Sequence, residues 1–246
     1  AHTARPYFSR RNGSDPDRKL TALTTTPRLL YSHHDHVLRV LVKAMESGQL
    51  TNAQVLVRLH PRDEVEAYRE FMNTPHVIIE KPFRDTVKVA DGLAIDVMPE
   101  NQKHLGDTLC HADAVVNVAS TITIEACIFD TPVVNINFDG PDESAYVKSA
   151  RRYYSFTHYV NITKRGAVRV ATSPEQLVDD VADYLADPSL DAAGRKQVVL
   201  DQCQFTDGRS AERVVRLVLD ELGAAAARAA ALRQAQGGPE QRRRTP

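Results

Sequence analysis

The sequence lacks an excess of charge of either sign, a membrane-length hydrophobic run and more than a few cysteines. Its 246 residues include 31 lysines and arginines and 32 aspartates and glutamates, for a net charge of −1. Nucleic-acid-binding proteins usually carry a strongly basic footprint, so this balance predicts no nucleic-acid partner. The longest apolar stretch, Ala224 to Leu232, is interrupted by Arg228. A membrane-spanning helix needs about 18 apolar residues, so no span is predicted.

The three cysteines, Cys110, Cys127 and Cys203, lie far apart in apolar, helix-like surroundings. An odd number of widely spaced cysteines favours reduced thiols over a disulfide framework. The chain also begins without a secretory signal. These absences together predict a cytoplasmic protein. The first residue is Ala1, with neither a methionine nor a leading strand, which indicates a piece of a longer protein.

Composition divides the chain into three regions. Residues 1–18 show no periodicity and are expected to form a linker or an arm. Residues 19–222 alternate between strand-like and helix-like stretches and predict one folded domain. Residues 223–246 pass from an alanine-rich helix to a glycine and proline segment and then to arginines, which predicts a helical to disordered tail. We expect the tail to be solvated; the alternative is that its arginines contact anionic lipid at the membrane surface.

Regular alternation of strands and helices predicts the fold. The predicted strands are Lys19–Thr26, Gln54–Leu59, His76–Glu80, Ala114–Val118, Val133–Phe138, Tyr159–Ile162 and Val168–Ala171. Helix-like segments, such as Asp63–Met72 and Ile122–Phe129, lie between them. This order predicts a parallel sheet with helices on both faces, a Rossmann-like, doubly wound α/β fold. Ligands of such sheets bind beyond the carboxyl ends of the strands, so polar loops at those ends are the candidate sites.

The loop after the first strand contains Ser32 followed by a run of histidines and one aspartate. Imidazole and carboxylate groups are zinc ligands. Adjacent residues at a helix start point in different directions, however, so we expect no metal here. Two interpretations stay open. Either Ser32 or Asp35 caps the helix and the histidines are exposed, or the helix N-terminus faces a phosphate to which His33 and His34 add hydrogen-bond donors.

The loop after the second strand runs from Arg58 through His60 and Pro61 to Asp63. A histidine that follows a strand, is fixed by a proline and precedes a helix is well placed to meet a phosphate. Its imidazole is able to donate a hydrogen bond to that phosphate or a proton to a leaving group. The alternative is that His60 only caps the end of the strand.

The loop after the strand at Ala114–Val118 is the most informative. Small hydroxyl residues, Ser120, Thr121 and Thr123, open a helix there, and Ser120 is predicted to cap it and leave backbone N–H groups facing an anion. Glu125 lies one helical turn after Thr121 and is able to accept hydrogen bonds from both hydroxyls of a ribose. The alternative is a capping segment with a surface glutamate.

These motifs resemble the C-terminal, donor-binding domain of GT-B type glycosyltransferases. The segment from Ser120 to Ala126, followed by Phe129–Val134, is similar to a Glu-Ala-x-x-x-Gly-x-Pro-Val run of that domain, with Asp130 in place of the glycine. The His60–Pro61 pair resembles the motif of CDP-glycerol glycerophosphotransferase-like enzymes and some bacterial sialyltransferases. Residues 207–214 are similar to the closing segment of many surface-polysaccharide transferases. The resemblance covers residues 19–222.

The resemblance implies half of a GT-B fold that binds a nucleotide-sugar or CDP-linked polyol for envelope glycan synthesis. The acceptor would be a glycan or a lipid-linked molecule, no cofactor or metal would be needed, and the base that activates the acceptor would lie in an N-terminal domain outside this sequence. His60 would contact the donor phosphates or help the nucleotide depart, Ser120 and Thr121 would bind phosphate, and Glu125 would hold the ribose. Further donor-binding candidates from the same loops are Arg58, Thr123, His33 and His34.

Two other functions stay open. Non-hydrolysing UDP-sugar 2-epimerases also have a His-Pro element, although an asparagine typically follows it where this chain has Arg62 and Asp63. The domain would instead be a non-catalytic nucleotide-binding or scaffold domain if His60 and Glu125 pointed to opposite faces of the sheet.

Overall fold

The computed structural model describes residues 5–81, 99–141 and 146–236. The chain divides into two compact units, residues 1–202 and residues 203–246. Within the described residues, the first unit contains a six-stranded parallel sheet in the order β3-β2-β1-β4-β5-β6. The strands are β1 Lys19–Thr24, β2 Ala53–Arg58, β3 Val77–Glu80, β4 Ala114–Asn117, β5 Val133–Ile136 and β6 Arg169–Ala171.

Helices connect these strands and continue into the second unit. They are α1 Arg5–Asn12, α2 His34–Glu46, α3 Pro99–His111, α4 Ile122–Ile128, α5 Thr157–Thr163, α6 Pro174–Ala186, α7 Ala192–Cys203 and α8 Ser210–Gln236. Short 3-10 helices span Val65–Phe71, Tyr146–Lys148 and Ala150–Ser155. None of the described helices combines the length and the hydropathy that a membrane span requires.

The sheet has a hydrophobic core on each face, because successive residues of a strand point to opposite sides. Leu23 and Val116 face a core shared with α2 and α6. Their neighbours Ala22 and Val115 face a second core shared with α3, α4, α5 and α7. Strands covered on both faces are buried along their whole length and are mostly apolar, as β2, β4 and β5 are. The predicted doubly wound α/β sheet with helices on both faces is confirmed.

The order of the strands reverses at the pair β1–β4. Thr24, the last residue of β1, pairs with Arg58 of β2 on one side and with Asn117 of β4 on the other. The ends of these three strands therefore lie side by side at one edge of the sheet. In doubly wound sheets this is the edge and the position at which ligands bind.

Two predicted elements differ from the structure. The strand predicted at Tyr159–Ile162 is wrong, because these residues belong to α5. Tyr159 and Ile162 are both buried, and their spacing of three places them on one face of a helix. The helix predicted at Asp63–Met72 is a shorter 3-10 helix, Val65–Phe71, in which Tyr68 leaves helical geometry with φ −114°.

The segment expected to form a linker or an arm contains α1, which is part of the first unit and packs against its sheet. Phe8 is only 2% exposed and lies in a small core with Leu20 and Leu56. Arg5 forms an ion pair with Asp113, with 2.8 Å between Nη2 and Oδ2. At the other end, α8 continues without a break past residue 222. The glycine and proline segment of the tail and its arginines lie outside the described residues.

Candidate functional site

A cavity of about 280 Å³ lies at the carboxyl edge of the sheet, where β1 and β2 end and α4 begins. Its walls come from segments that are far apart in the sequence. They are Thr24 and Thr25 at the end of β1, the stretch from Arg58 to Pro61 at the end of β2, Asn101, Gln102 and Leu105 of α3, and Thr121, Ile122 and Glu125 at the start of α4.

Four of the predicted site residues meet at this cavity, and four do not. Arg58, His60, Thr121 and Glu125 line it. His60 and Glu125 therefore share one cavity and do not lie on opposite faces of the sheet. The residues that do not line it are Ser120, Thr123, His33 and His34.

His60 is held by its own turn. Its backbone N–H donates to Thr25 Oγ1 at 2.8 Å, and its ring nitrogen Nδ1 accepts from the backbone N–H of Arg62 at 3.1 Å. A neutral imidazole that accepts at Nδ1 carries its proton on Nε2. Burial lowers the pKa of His60, and the charge of Arg62 lowers it further. At neutral pH the side chain is thus an uncharged ring with an N–H donor at Nε2.

The side chain of Asp63 stabilises the turn that contains His60. This carboxylate is 1% exposed and accepts from Thr25 Oγ1 at 3.0 Å and from the Tyr68 hydroxyl at 2.9 Å. Since Thr25 also accepts from the backbone of His60, the buried carboxylate orients the histidine through one intermediate hydroxyl. Asp63 thus has a structural role in the turn, whereas the sequence indicated a helix start.

Arg58 belongs to a small buried cluster of charged and titratable side chains. Its Nη1 lies 2.6 Å from Glu80 Oε1 at the end of β3 and 3.2 Å from His104 Nδ1 in α3. His104 Nε2 is 3.5 Å from the other oxygen of Glu80. Burial lowers the pKa of His104, and the charge of Glu80 opposes that shift. Glu80 balances the positive charge of Arg58 and holds its guanidinium at the cavity wall.

Glu125 and Thr121 occupy the beginning of α4. Burial raises the pKa of Glu125, and the nearby charge of Arg58 acts in the opposite direction. Thr121 is the residue before the helix, and its side chain makes no capping hydrogen bond. The prediction that Ser120 caps α4 is wrong. Ser120 Oγ accepts instead from Asn117 Nδ2 at 3.1 Å, because the side chain turns back toward the end of β4.

Thr123 is fully buried in a polar network beneath the loop. Its Oγ1 lies 2.8 Å from the Tyr159 hydroxyl, which donates to Asn135 Oδ1 at 2.7 Å. Asn117 contacts the same threonine hydroxyl at 3.3 Å. Thr123 therefore connects β4, β5 and α5, and it faces the interior because the first turn of α4 packs on the sheet.

His33 and His34 lie at the start of α2, away from the cavity lining. His34 is fully buried, and its Nε2 accepts from the backbone N–H of Thr26 at 2.9 Å. Burial lowers its pKa to about 3, so the ring is neutral at pH 7. His33 packs edge-on against Tyr31, with 5.6 Å between the ring centroids. It also lies close to Gly140, where a β-carbon would sit 2.2 Å from its Nδ1.

Sequence reasoning missed several residues that line the cavity. Thr24 is 2% exposed, and among the described residues no group forms a hydrogen bond with its hydroxyl. Asn101 and Gln102 come from the first turn of α3. The strand-end rule points to Thr24, but no local signal in the sequence marks the two amides. In the part of the chain that the structure describes, no three potential metal-ligating side chains of His, Cys, Asp or Glu gather into a group.

The strand order and the cavity at its reversal point define a class, a Rossmann-like domain of the kind that forms half of a GT-B fold. A family model then gives the particular family. The model described as CDP-Glycerol:Poly(glycerophosphate) glycerophosphotransferase matches residues 24–220, which is most of the chain. The chain belongs to this family of glycosyltransferase-like enzymes.

Solved structures with the same fold are only distantly similar in sequence. S. aureus MnaA with UDP superposes with a TM-score of 0.55 and 14% identity, over 88% of this chain and 48% of that one. The wall teichoic acid polymerase TagF, soaked with CDPG, gives 0.53 and 10%, over 90% and 46%. The spinosyn rhamnosyltransferase SpnG with thymidine diphosphate gives 0.53 and 14%, over 87% and 48%. The chain thus spans about half the length of these proteins. No curated protein sequence matches it.

Proposed function

We propose that residues 19–222 bind the nucleotide-linked donor substrate of a transferase, and that this substrate is CDP-glycerol or a similar CDP-linked polyol. The observation that carries the proposal is the convergence of His60, Arg58, Thr121 and Glu125 on one cavity at the strand-order reversal. Membership of the glycerophosphotransferase family supports the cytidine nucleotide over the other bases.

His60 is the residue to which we assign contact with the donor phosphates. In glycerophosphoryl transfer, a hydroxyl of the acceptor attacks the phosphorus that bears the glycerol, the bridging P–O bond of the diphosphate breaks, and CMP leaves. The leaving phosphate gains negative charge as that bond breaks. A hydrogen bond from Nε2–H is therefore stronger in the transition state than in the bound substrate, which is the condition for catalysis. The proton of the attacking hydroxyl goes to a base outside this set of residues.

Glu125 and Thr121 complete the proposed contacts with the nucleotide. A carboxylate is able to accept hydrogen bonds from both hydroxyls of a ribose, and Glu125 provides one at the cavity wall. The hydroxyl of Thr121 makes no capping hydrogen bond with its helix and is assigned to a phosphate oxygen. Arg58 adds positive charge that its ion pair with Glu80 largely balances, so we assign it a supporting role.

Membership of this family also supports a proposal for the acceptor and the location. We assign a polymer of glycerophosphate, or a related glycan or lipid-linked molecule of the cell envelope, as the acceptor. We place the enzyme on the cytoplasmic side of the membrane, at its inner face. Transfer of radiolabelled glycerophosphate to membrane fractions by the full-length protein tests this part of the proposal, and labelling of soluble products alone would contradict it.

Nucleotide binding is tested by thermal unfolding with CDP, CMP, UDP, GDP and ADP. A ligand that binds only the folded state adds about 2.7 kcal/mol at 100 times its dissociation constant. We expect the cytidine nucleotides to raise the Tm, and His60→Ala and Glu125→Ala to abolish that increase. Exposed residues of the same types provide matched controls, and His158→Ala and Glu66→Ala should leave the increase unchanged.

Other outcomes separate the alternatives. No Tm increase with any nucleotide would refute the proposal. An increase with UDP alone, accompanied by conversion of UDP-N-acetylglucosamine to its 2-epimer, would identify the epimerase alternative. A cytidine-specific increase that survives both His60→Ala and Glu125→Ala would place nucleotide binding elsewhere in the chain.

A further inference from the structure

The helix α8 presents a long row of exposed apolar side chains. Val215, Val218, Leu222 and Leu232 are each half or more exposed, although valine and leucine are usually buried. The helix runs from Ser210 to Gln236, long enough for three heptads. Exposed apolar rows of this length generally mark a surface that another molecule covers.

The row has the spacing of a coiled-coil seam. Alternating steps of four and three residues keep apolar side chains facing one partner helix. This spacing holds without interruption through Ala211, Val215, Val218, Leu222, Ala225, Ala229 and Leu232.

The pattern is complementary to itself in the antiparallel direction. When two copies of α8 run in opposite directions about a two-fold axis near Gly223, each larger residue near the centre meets a small residue of the other copy. The two central layers pair Leu222 with Ala225 and Val218 with Ala229. The outer layer pairs Val215 with Leu232, both of which are large. Small residues opposite large ones let the helices approach closely and fill the seam.

Charged residues beside the seam favour the same direction. In the antiparallel arrangement Glu221 faces Arg228 of the second copy, whereas Glu212 forms ion pairs with Arg209 and Arg216 of its own chain. In a parallel pair, Arg228 of one helix would instead face Arg233 of the other, and like charges would meet. Charges at these flanking positions set the orientation and the choice of partner in coiled coils. The charge pattern therefore selects the antiparallel arrangement and a second copy of the same helix.

We propose that the protein forms a symmetric dimer through α8, as an antiparallel two-helix coiled coil with α8 of a second copy. A two-fold symmetric interface uses the same surface of both subunits, so each charge pair occurs twice. This inference is independent of the nucleotide proposal.

Two equally exposed leucines provide a matched test. Leu222 is 62% exposed and lies on the seam, whereas Leu217 is 63% exposed and lies outside it. We expect the wild-type chain and Leu217→Glu to sediment as dimers in analytical ultracentrifugation, and Leu222→Glu to sediment as a monomer. Circular dichroism should show the same helix content in both variants. A wild-type chain that stays monomeric at all concentrations would overturn the proposal, as would equal effects of the two variants.

Charge reversal tests the orientation. Glu221→Arg places like charges opposite each other at two symmetry-related positions, so we expect the dissociation constant of the dimer to rise about tenfold or more. Adding Arg228→Glu to the same chain should restore dimerisation. Asp220→Arg makes the same change of charge on the outer face and should have little effect. Failure of the double variant to recover would exclude the antiparallel register.

Discussion

At the scale of single residues, His34 shows how a polar side chain becomes part of the core. It is the first residue of α2, its ring is fully buried, and its Nε2 holds the loop after β1 by accepting from the backbone N–H of Thr26. The Tyr31 ring packs against it with 4.8 Å between centroids. Such a position accepts a neutral imidazole and penalises a charged one.

This arrangement predicts a dependence of stability on pH. The pKa of His34 is about 3 in the folded protein, below the ordinary value of 6.5. Between these values the unfolded state binds the proton and the folded state does not, so the free energy of unfolding decreases as the pH falls from 6.5 toward 3. We expect His34→Gln to be less stable at neutral pH but to lose less stability across this interval, as measured by urea unfolding.

The exposed His158 provides the control for this measurement. His158→Gln should keep the full pH dependence of the wild type. Three partly buried histidines, His36, His60 and His104, also have lowered pKa values and leave a residual slope in every variant. Equal slopes for His34→Gln and the wild type would contradict the assignment.

The sequence is least informative about the direction in which an individual polar side chain points. His60 and Glu125 were predicted at the cavity because each follows a strand end in a recognisable motif, and both line it. His34 and Thr123 occur in equally polar loops, yet they face the interior. Whether a polar residue at a helix start turns inward depends on the packing of that helix, and no local pattern encodes this.

At the scale of elements, the turn between α4 and β5 explains an unusual residue. Asp130 has φ +58°, in the left-handed region that favours glycine. Its Oδ1 accepts from Nε of the fully buried Arg195 at 2.8 Å. The guanidinium also donates to the carbonyl oxygens of Leu190 and Pro188. The aspartate thus attaches α7 to this turn, which a glycine is unable to do.

Replacing Asp130 by glycine therefore has two opposing effects. Asp130→Gly relieves the left-handed strain but leaves the buried guanidinium of Arg195 without one acceptor. We expect the second effect to dominate, with a loss of about 1–2 kcal/mol in the free energy of unfolding. Asp130→Asn keeps an oxygen acceptor and tolerates positive φ, so it should lose less. A glycine variant more stable than the wild type in denaturant unfolding would reverse this order of effects.

The sequence predicts some strands and helices correctly and others wrongly. Strands β2, β4 and β5 correspond to mostly apolar runs that both faces of the sheet bury, and β1 is rich in β-branched threonine, so all four can be recognised in the sequence. The segment Tyr159–Ile162 has the β-branched and aromatic residues of a strand, but it is helical because α5 packs on the second core. Its buried hydroxyl contacts with Thr123 and Asn135 are long-range and have no local signal.

At the scale of the whole molecule, topology decides which residues meet. The rule for strand ends identifies the correct edge of the sheet before any contact is known. It does not reveal that Glu80 and His104 join Arg58, since this cluster needs the pairing of β2 with β3 and the packing of α3. The same limit applies to Asn101 and Gln102, which reach the cavity from a helix with no motif of its own.

The pairing of β1 with β4 also has a kinetic consequence. It joins Thr24 to Asn117, residues far apart in the chain, and contacts of such long separation are slow to form during folding. A cavity that straddles this pair is complete only near the end of folding. If CDP binds this cavity as proposed, it should slow unfolding and leave the folding rate unchanged, because it would stabilise the native state and not the transition state. Stopped-flow unfolding and refolding with and without CDP measures both rates, and faster refolding would mean that the two halves of the sheet join early.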